Sequence, residues 1–361
     1  MKRILILANF DVGLYKFRKE LIQELLNQGN EVYISLPDGE LVRNLEKMGC
    51  NFVDTSVDRR GINPKTDVKL MFFYRKLIKK LHPDMVITYT IKPNIYGGLM
   101  CRVLCVPYAT NITGLGTAFQ NENIIKKLVT FLYKIALKKA KVVFFENIGN
   151  KQTFLDLHIL KEKQICVLNG AGVNLADYSF SEYPSDGGIR FLFIGRVMKE
   201  KGVDELFEAA ERIKQQRSDV FFDVVGPLED DYKSRLEELV QKGVIVYHGY
   251  QKDVKPFIEK CHCFVLPSYH EGMANTLLEA GAMGRPLITS NIHGCLEVVE
   301  EGRNGYLAEA KNAESLFGQL EKFFGLSYEE RKRMGQASRE VVQERFDKKM
   351  VVGKTIREIE R

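Results

Sequence analysis

Short, nearly continuous apolar runs recur along the whole chain, and each is followed by a stretch with helical periodicity. In the first half the runs lie at 2–8 (KRILILA), 31–36 (EVYISL), 51–54, 84–89 (DMVITY), 107–112 (PYATNI) and 141–145 (KVVFF), with helical patterns near 14–28, 39–48, 66–81, 94–105, 122–140 and 149–157. The second half repeats the arrangement, with runs at 189–194 (IRFLFI), 221–225 (FFDVV), 244–247 (VIVY), 263–266 (CFVL), 286–289 (PLIT) and 305–308 (GYLA). Its helical patterns lie near 203–216, 230–242, 253–259, 274–283 and 295–300; the chain after Asn312 also reads as helical, ending in a helix from about Asp347 to Arg361. A strand that is apolar on almost every residue has no face for water, so it belongs in a parallel sheet with helices on both sides. A chain of 361 residues is too long for one ordinary core. The expectation is an α/β protein of two Rossmann-like domains facing each other across a cleft, with ligands beyond the carboxyl ends of the strands. SFSEYPSDGG (179–188), rich in Ser, Gly and Pro, reads as the linker between domains at 1–180 and 188–340, and 341–361 forms a C-terminal helical segment.

Charge and composition narrow the function. The net charge is +6, but residues 1–180 carry 26 Lys+Arg against 16 Asp+Glu (+10), while the remainder carries 27 against 31 (−4). The first half therefore wants an anionic partner or surface. Nucleic acid is not expected, because no nucleic-acid motif accompanies the charge and Trp is absent. No apolar window approaches the roughly 20 residues of a membrane span, and MKRILILANF runs into a strand without a signal-peptide cleavage site, so a cytoplasmic location is expected. The seven cysteines are irregularly spaced; Cys261-His262-Cys263 sits in an apolar strand pattern and reads as buried reduced thiols in place of a zinc site.

Several segments carry chemistry. In FLFIGRVMKEKGVDEL (191–206) a strand ends at Gly195-Arg196, and Lys201-Gly202 opens a helix. Glycines admit an anion to the backbone, and clustered cations at such a turn suit phosphate, although a solvated loop with surface cations fits equally well. SYHEGMANTLLEA (268–280) follows an apolar strand and places Glu271 in a loop and Glu279 down a helix, on the face of Asn275. Backbone N–H groups of 272–276 are free to donate in this reading, and the carboxylates suit sugar hydroxyls; the plain alternative is a helix with a first-turn acid and a surface glutamate. NFDVGLYKFRKEL (9–21) reads as a strand, a Gly13 loop and a basic helix, a phosphate cradle or a simple turn. Gly114-Leu-Gly116 supplies only part of a dinucleotide fingerprint: Phe119 stands at the third glycine and Glu146 comes too late, so NAD is not expected. No metal triad or strand-ending DxD appears, and Glu229-Asp230-Asp231 reads as an acid cluster at a helix start. In IIKKLVTFLYKIALKKAK (124–141), Leu128, Phe131, Leu132 and Ile135 line one helical face and six lysines cover much of the rest; residues 69–80 are similar. That composition fits a helix lying on anionic lipid, and fits more ordinarily a sheet-covering helix with a solvated basic face.

Taken together, GR-x4-KG at 195–202 and E-x7-E at 271–279 resemble the retaining group-1 glycosyltransferases of GT-B architecture. The resemblance spans nearly the whole chain, through the N-terminal Gly loop, GAGVN (170–174), HGYQKDV (248–254) and SYHEGMANTLLEA. GLYKFR and TGLG look like the subgroup that builds capsule, O-antigen and other lipid-linked oligosaccharides in bacteria. The resemblance implies that Arg196 and Lys201 hold the donor diphosphate beyond Gly195, Glu271 contacts the donor sugar, and Glu279 takes the ribose hydroxyls. It further implies that Gly272, Met273, Ala274, Asn275 and Thr276 offer amides, that Tyr250 and Gln251 meet the base, and that Gly13 approaches the phosphate. Residues 347–361 are expected to lie back on the first domain. Two positions depart from the family: Ala274 replaces its usual proline, and Asn111 and Thr113 stand on the acceptor side where many relatives carry a histidine. The function implied is metal-independent transfer, with retention, of a sugar from a nucleotide sugar, most simply a UDP-sugar, to a polyprenyl-diphosphate-linked or other glycolipid acceptor. No cofactor is implied, since the donor is a substrate. The basic first domain would meet an anionic membrane, making the enzyme peripheral on the inner face of the plasma membrane. The alternatives are a nucleotide-sugar 2-epimerase of the same fold and a non-catalytic sugar-nucleotide-binding subunit.

Overall fold

The computed structural model describes residues 1–55, 63–116, 119, 124–185, 187–229 and 231–361. The first elements are β1 (Arg3–Leu7), α1 (Asp11–Asn27), β2 (Glu31–Leu36), α2 (Val42–Lys47), β3 (Asn51–Asp54), α3 (Pro64–Leu81) and β4 (Met85–Tyr89). A π-helical turn, Pro93–Gly97, leads into α4 (Gly98–Val103), then β5 (Tyr108–Ile112), α5 (Ile124–Ala136), β6 (Val142–Phe145), α6 (Ile148–Asp156) and β7 (Ile165–Val167). The seven strands form one parallel sheet in the order β3-β2-β1-β4-β5-β6-β7. Its two faces explain the apolar runs. Ile4 and Ile6 of β1 pack with Leu14, Ile22 and Leu25 of α1, while Leu5 and Leu7 pack on the opposite face with Leu70, Tyr74 and Ile78 of α3.

The chain continues with β8 (Ile189–Ile194), α7 (Val203–Gln216), β9 (Val220–Val225), α8 (Lys233–Gln241), β10 (Val246–Tyr247), α9 (Lys255–Lys260) and β11 (Cys263–Leu266). It then forms α10 (Asn275–Ala282), β12 (Leu287–Ser290), β13 (Gly305–Ala308), α11 (Ala313–Phe324), α12 (Tyr328–Arg345) and α13 (Lys348–Glu360). The second parallel sheet has six strands in the order β10-β9-β8-β11-β12-β13. An α/β protein of two Rossmann-like units is thus observed.

The boundaries differ from the expected ones. One unit comprises Met1–Ala171 with Lys349–Arg361, and the other Gly172–Lys348. The Ser/Pro/Gly-rich stretch expected to link domains at 179–188 belongs to the second unit. The fully buried Arg285 guanidinium donates to Ser181 O (3.1 Å), Ser181 Oγ (2.6 Å) and Glu182 O (3.0 Å), and the Tyr183 hydroxyl donates to His262 O at 3.0 Å. Composition marks a lack of regular structure there; it does not show that a buried arginine captures the carbonyls. Residues 341–348 stay with the second unit, where Val341 and Val342 are core, and α13 puts Val351, Ile356 and Ile359 into the β1–α1 core of the first.

Other expectations fail locally. The helix expected at 295–300 is a run of turns closed by short-range bonds such as Val298 N to Cys295 O, with Asn304 Nδ2 donating to Val298 O. Strand β7 was not foreseen, being three residues at a sheet edge. The pattern at 122–140 begins on residues outside those described. Cys261 and Cys263 are buried, burial pushing the Cys261 thiol up to about 12. Both ring nitrogens of the intervening His262 lie within bonding distance of backbone, at Arg190 N (3.1 Å) and Ser185 O (3.2 Å).

Candidate active site

The second unit assembles its candidate site at the carboxyl ends of β8 and β11. Beyond β8, the loop 195–197 zips against the loop after β9: Val197 N donates to Pro227 O (2.8 Å) and Glu229 N to Val197 O (3.2 Å). Gly226 makes this approach feasible, since at its φ of +144° a Cβ would stand 1.8 Å from Gly195 O. The zipping brings Glu229 Oε2 to 2.7 Å from Arg196 Nη1. Glu229 is therefore the partner of Arg196 and not a helix-start acid; α8 begins at Lys233, and Asp230 of that cluster lies outside the described residues.

A single 3-10 turn, Lys199–Lys201, then leads through Gly202 into α7. Gly202 has φ +70°, and a Cβ there would lie 1.9 Å from Pro267 O, so the turn sits directly on the loop after β11. Tyr269 fastens the same two segments, its N–H donating to Glu200 O (2.9 Å) and its hydroxyl to the Glu205 carboxylate (2.7 and 2.8 Å). Burial, with Glu205 beside it, pushes the Tyr269 phenol up.

That contact joins the two sequence motifs. Lys201 Nζ lies 2.5 Å from Glu271 Oε1, which also accepts from Ser268 Oγ at 2.8 Å. Gly294, at φ +91°, closes over Glu271, where a Cβ would come within 2.8 Å of the Glu271 Cβ. The Gly294 carbonyl also accepts from Ala274 N at 2.9 Å. The amides of 272–276 are thus not all available: Ala274 is spent, and Met273 and Ala274 are buried. Gly272, Asn275 and Thr276 remain half-buried at the start of α10, and Asn275 Oδ1 is a buried oxygen without a hydrogen-bond partner. One turn on, Glu279 bonds the Tyr178 hydroxyl, whose phenol is pushed up by burial and then by that carboxylate. Gly195 is half-buried where β8 ends. Tyr250 is 62% exposed, and Gln251 Nε2 donates to His248 O at 2.7 Å.

The first-unit candidates fare differently. Gly13 lies inside the first turn of α1, beyond the short connection 8–10 and not in a loop itself; a Cβ there would meet the Phe10 ring at 2.3 Å. Asn111 is a buried residue of β5 whose side-chain Nδ2 donates to Thr88 O (3.3 Å) and whose backbone carbonyl accepts from Asn94 Nδ2 (2.8 Å), so its side-chain amide is turned onto the neighbouring strand. Thr113 is half-buried just beyond the strand. Sequence reading missed Ser268, Gly294 and Tyr178, and gave Glu229 a different role. None has a signal of its own; each is recruited by loop packing. It also missed a buried pair in the first unit, Arg18 Nη2 with Glu146 Oε1 at 2.5 Å, with the guanidinium over the Tyr89 ring.

Two parallel-sheet Rossmann-like units, the second with cations and carboxylates gathered at its strand ends, are the α/β architecture that GT-B glycosyltransferases share. Residues 177–341 match the family "glycosyl transferases group 1", and residues 3–147 match "glycosyl transferase 4-like". The chain is 29% identical over 87% of its length to the N,N'-diacetylbacillosaminyl-diphospho-undecaprenol α-1,3-N-acetylgalactosaminyltransferase of Campylobacter jejuni, and covers 87% of that protein. It is 26% identical to the UDP-Gal:α-D-GlcNAc-diphosphoundecaprenol α-1,3-galactosyltransferase of Escherichia coli, covering 73% of this chain and 72% of that one. Among solved structures, a glycosyltransferase from Rickettsia africae superposes with a TM-score of 0.84 at 22% identity, over 99% of this chain and 97% of that one. The chain therefore joins a glycosyltransferase 4-like domain to a group 1 glycosyltransferase domain; the protein is a glycosyltransferase.

Proposed function

We propose that this enzyme moves a sugar, with retention and without a metal, from a UDP-sugar to a hydroxyl of a polyprenyl-diphosphate-linked glycan. The observation that carries the reading is the 2.5 Å contact between Lys201 and Glu271, which puts a phosphate-type cation beside a sugar-type carboxylate on neighbouring strand ends. Arg196 and Lys201 take the diphosphate and stabilise its charge as it departs. Glu271 orients the sugar, Glu279 takes the ribose hydroxyls, and the amides at the start of α10 face the distal phosphate. Tyr250 and Gln251 meet the base. In a front-face displacement the acceptor oxygen bonds the anomeric carbon as the bond to phosphate breaks. The acceptor proton passes to the departing phosphate oxygen, so no separate base is needed. The acceptor class is supported by the two undecaprenol-linked substrates in the relatives' names, and the UDP donor by one of them. The membrane that carries such an acceptor is met by the basic first unit, with the enzyme peripheral on its cytoplasmic side.

The test is a panel of UDP- and GDP-sugars offered with synthetic polyprenyl-diphosphate sugars, scored for nucleotide release and lipid-linked product. Chelator is added in a parallel arm, and the anomeric configuration of the product is read by NMR. The expected result is acceptor-dependent UDP release, indifferent to chelator, with an α product from an α-linked donor. Turnover without acceptor would point to the epimerase instead, and an inverted product would remove the front-face mechanism.

A further inference from the structure

Helix α5 is apolar on two opposite faces. Tyr133 and Ala136, with Leu137 just beyond, are buried in the first unit's core. On the other side, at i, i+4 and i+7, Ile124, Leu128 and Phe131 stand 83%, 49% and 58% exposed. A helix that only covers a sheet needs one apolar stripe. Leu128 and Phe131 are therefore not part of the sheet-covering face that the sequence suggested. Helix α3 repeats the arrangement, with Leu70, Tyr74 and Leu77 buried and Val68 and Phe72 exposed. Helix α4 contacts both α3 and α5, is tied to α5 by Arg102 Nη1 donating to Ile135 O (2.8 Å), and adds exposed Val103. The outward side of three adjacent helices is thus studded with large apolar side chains.

Among the described residues, the exposed charges on these three helices have one sign. Lys69, Lys76 and Lys79 surround Phe72 on α3, and Lys127 and Lys134 flank Phe131 on α5; all are exposed. The single carboxylate in the three helices, Asp67, is buried and spent on Lys92 (2.8 Å) and the Tyr96 hydroxyl (3.0 Å). Protein interfaces are depleted in lysine, and a second copy of this face would set lysine against lysine. An anionic bilayer satisfies both features at once, the apolar side chains entering the acyl boundary while the ammonium groups stay level with lipid phosphates.

We propose that the outward face of α3, α4 and α5 docks the first unit on an anionic lipid surface, with Phe72, Ile124, Leu128 and Phe131 entering it. This deepens the membrane-partner reading above and rests on it for its purpose. The test is flotation of the full chain with phosphatidylcholine vesicles containing or lacking phosphatidylglycerol, at low and high salt. It compares the parent with the combined variant Ile124→Ser/Leu128→Ser/Phe131→Ser. The expected result is binding that requires phosphatidylglycerol, weakens with salt, and falls by roughly tenfold or more in the variant. A circular-dichroism melt matching the parent's shows that the variant folds. Equal binding by variant and parent, or binding indifferent to lipid charge, overturns the proposal. So does a parent dimer in sedimentation velocity that the variant loses while neither chain floats. Turnover of a short-chain, water-soluble acceptor separates the two readings. If turnover persists without flotation, only the docking face is lost; if flotation persists while no donor is used, it is the substrate reading that fails.

Discussion

One oxygen of Glu271 holds both Lys201 and Ser268, whereas Arg196 pairs with Glu229 and is the more exposed cation. An ion pair at such exposure is worth about 0–1 kcal/mol, so an incoming diphosphate takes Arg196 at little cost. Arg196→Ala should therefore leave the melting temperature nearly unchanged and lower kcat by ~10²–10³, the usual loss for one donor to a developing anion. Unaltered turnover would remove Arg196 from the leaving-group role. Gly202→Ala tests the framework beneath the site. Its φ of +70° and a Cβ 1.9 Å from the Pro267 carbonyl leave no room for a methyl group. A loss of ~3 kcal/mol or more is expected from strain and clash, read as a lower urea midpoint. The buried thiols set a pH dependence. Burial pushes Cys50 up to about 11, whereas an unfolded thiol ionises near ~8.5. The folded form keeps a proton that the unfolded form releases, so this stability is whole below the unfolded value and is lost as pH climbs toward the folded one. The urea midpoint should fall between pH ~8.5 and the folded value, less steeply in Cys50→Ala.

At the scale of elements, α13 shows how sequence position misleads about membership. It follows directly on the second unit, yet Val351, Ile356 and Ile359 are core residues of the first. Each buried aliphatic side chain contributes ~1.5–3 kcal/mol, a large share of a domain's ~5–15 kcal/mol. Ile356→Asp should accordingly destabilise the first unit while sparing the second. Limited proteolysis is expected to cut first within residues 1–171, and cuts confined to 172–348 would contradict the assignment. Helix periodicity located most elements because an amphipathic stripe is a local property. It failed at 295–300, where the pattern is apolar enough for a helix but Asn304 captures Val298 O and fixes a turn. On α5 it did not reveal which apolar stripe faces inward, because periodicity cannot distinguish a core from another greasy surface.

For the molecule as a whole, nucleotide binding should be visible as stability. A ligand at 100 times its Kd adds about 2.7 kcal/mol to the unit that binds it, which for a unit of this size shifts Tm by ~2–4 °C per kcal/mol. UDP should raise the melting temperature of the parent and leave Arg196→Ala and Lys201→Ala unmoved. A larger rise with NAD would overturn the choice of ligand.

The α/β class, the tandem repetition and the two motifs at the strand ends of the second unit were all readable from residue order, because strand apolarity, helix period and glycine placement act over a few neighbours. Arg196, Lys201, Glu271 and Glu279 could be named as candidates from motif spacing, though their proposed roles came from the family resemblance. Their neighbours could not. Glu229 reaches Arg196 only because Gly226 lets two loops close, and Tyr178 reaches Glu279 only because Arg285 and Tyr183 hold the supposed linker against the second unit. The sheet consumes Asn111, and the first turn of α1 absorbs Gly13. Such pairings join residues tens to a hundred positions apart. They are settled by which loops pack and which polar atoms are left to satisfy once the core has formed, and no local pattern carries that information.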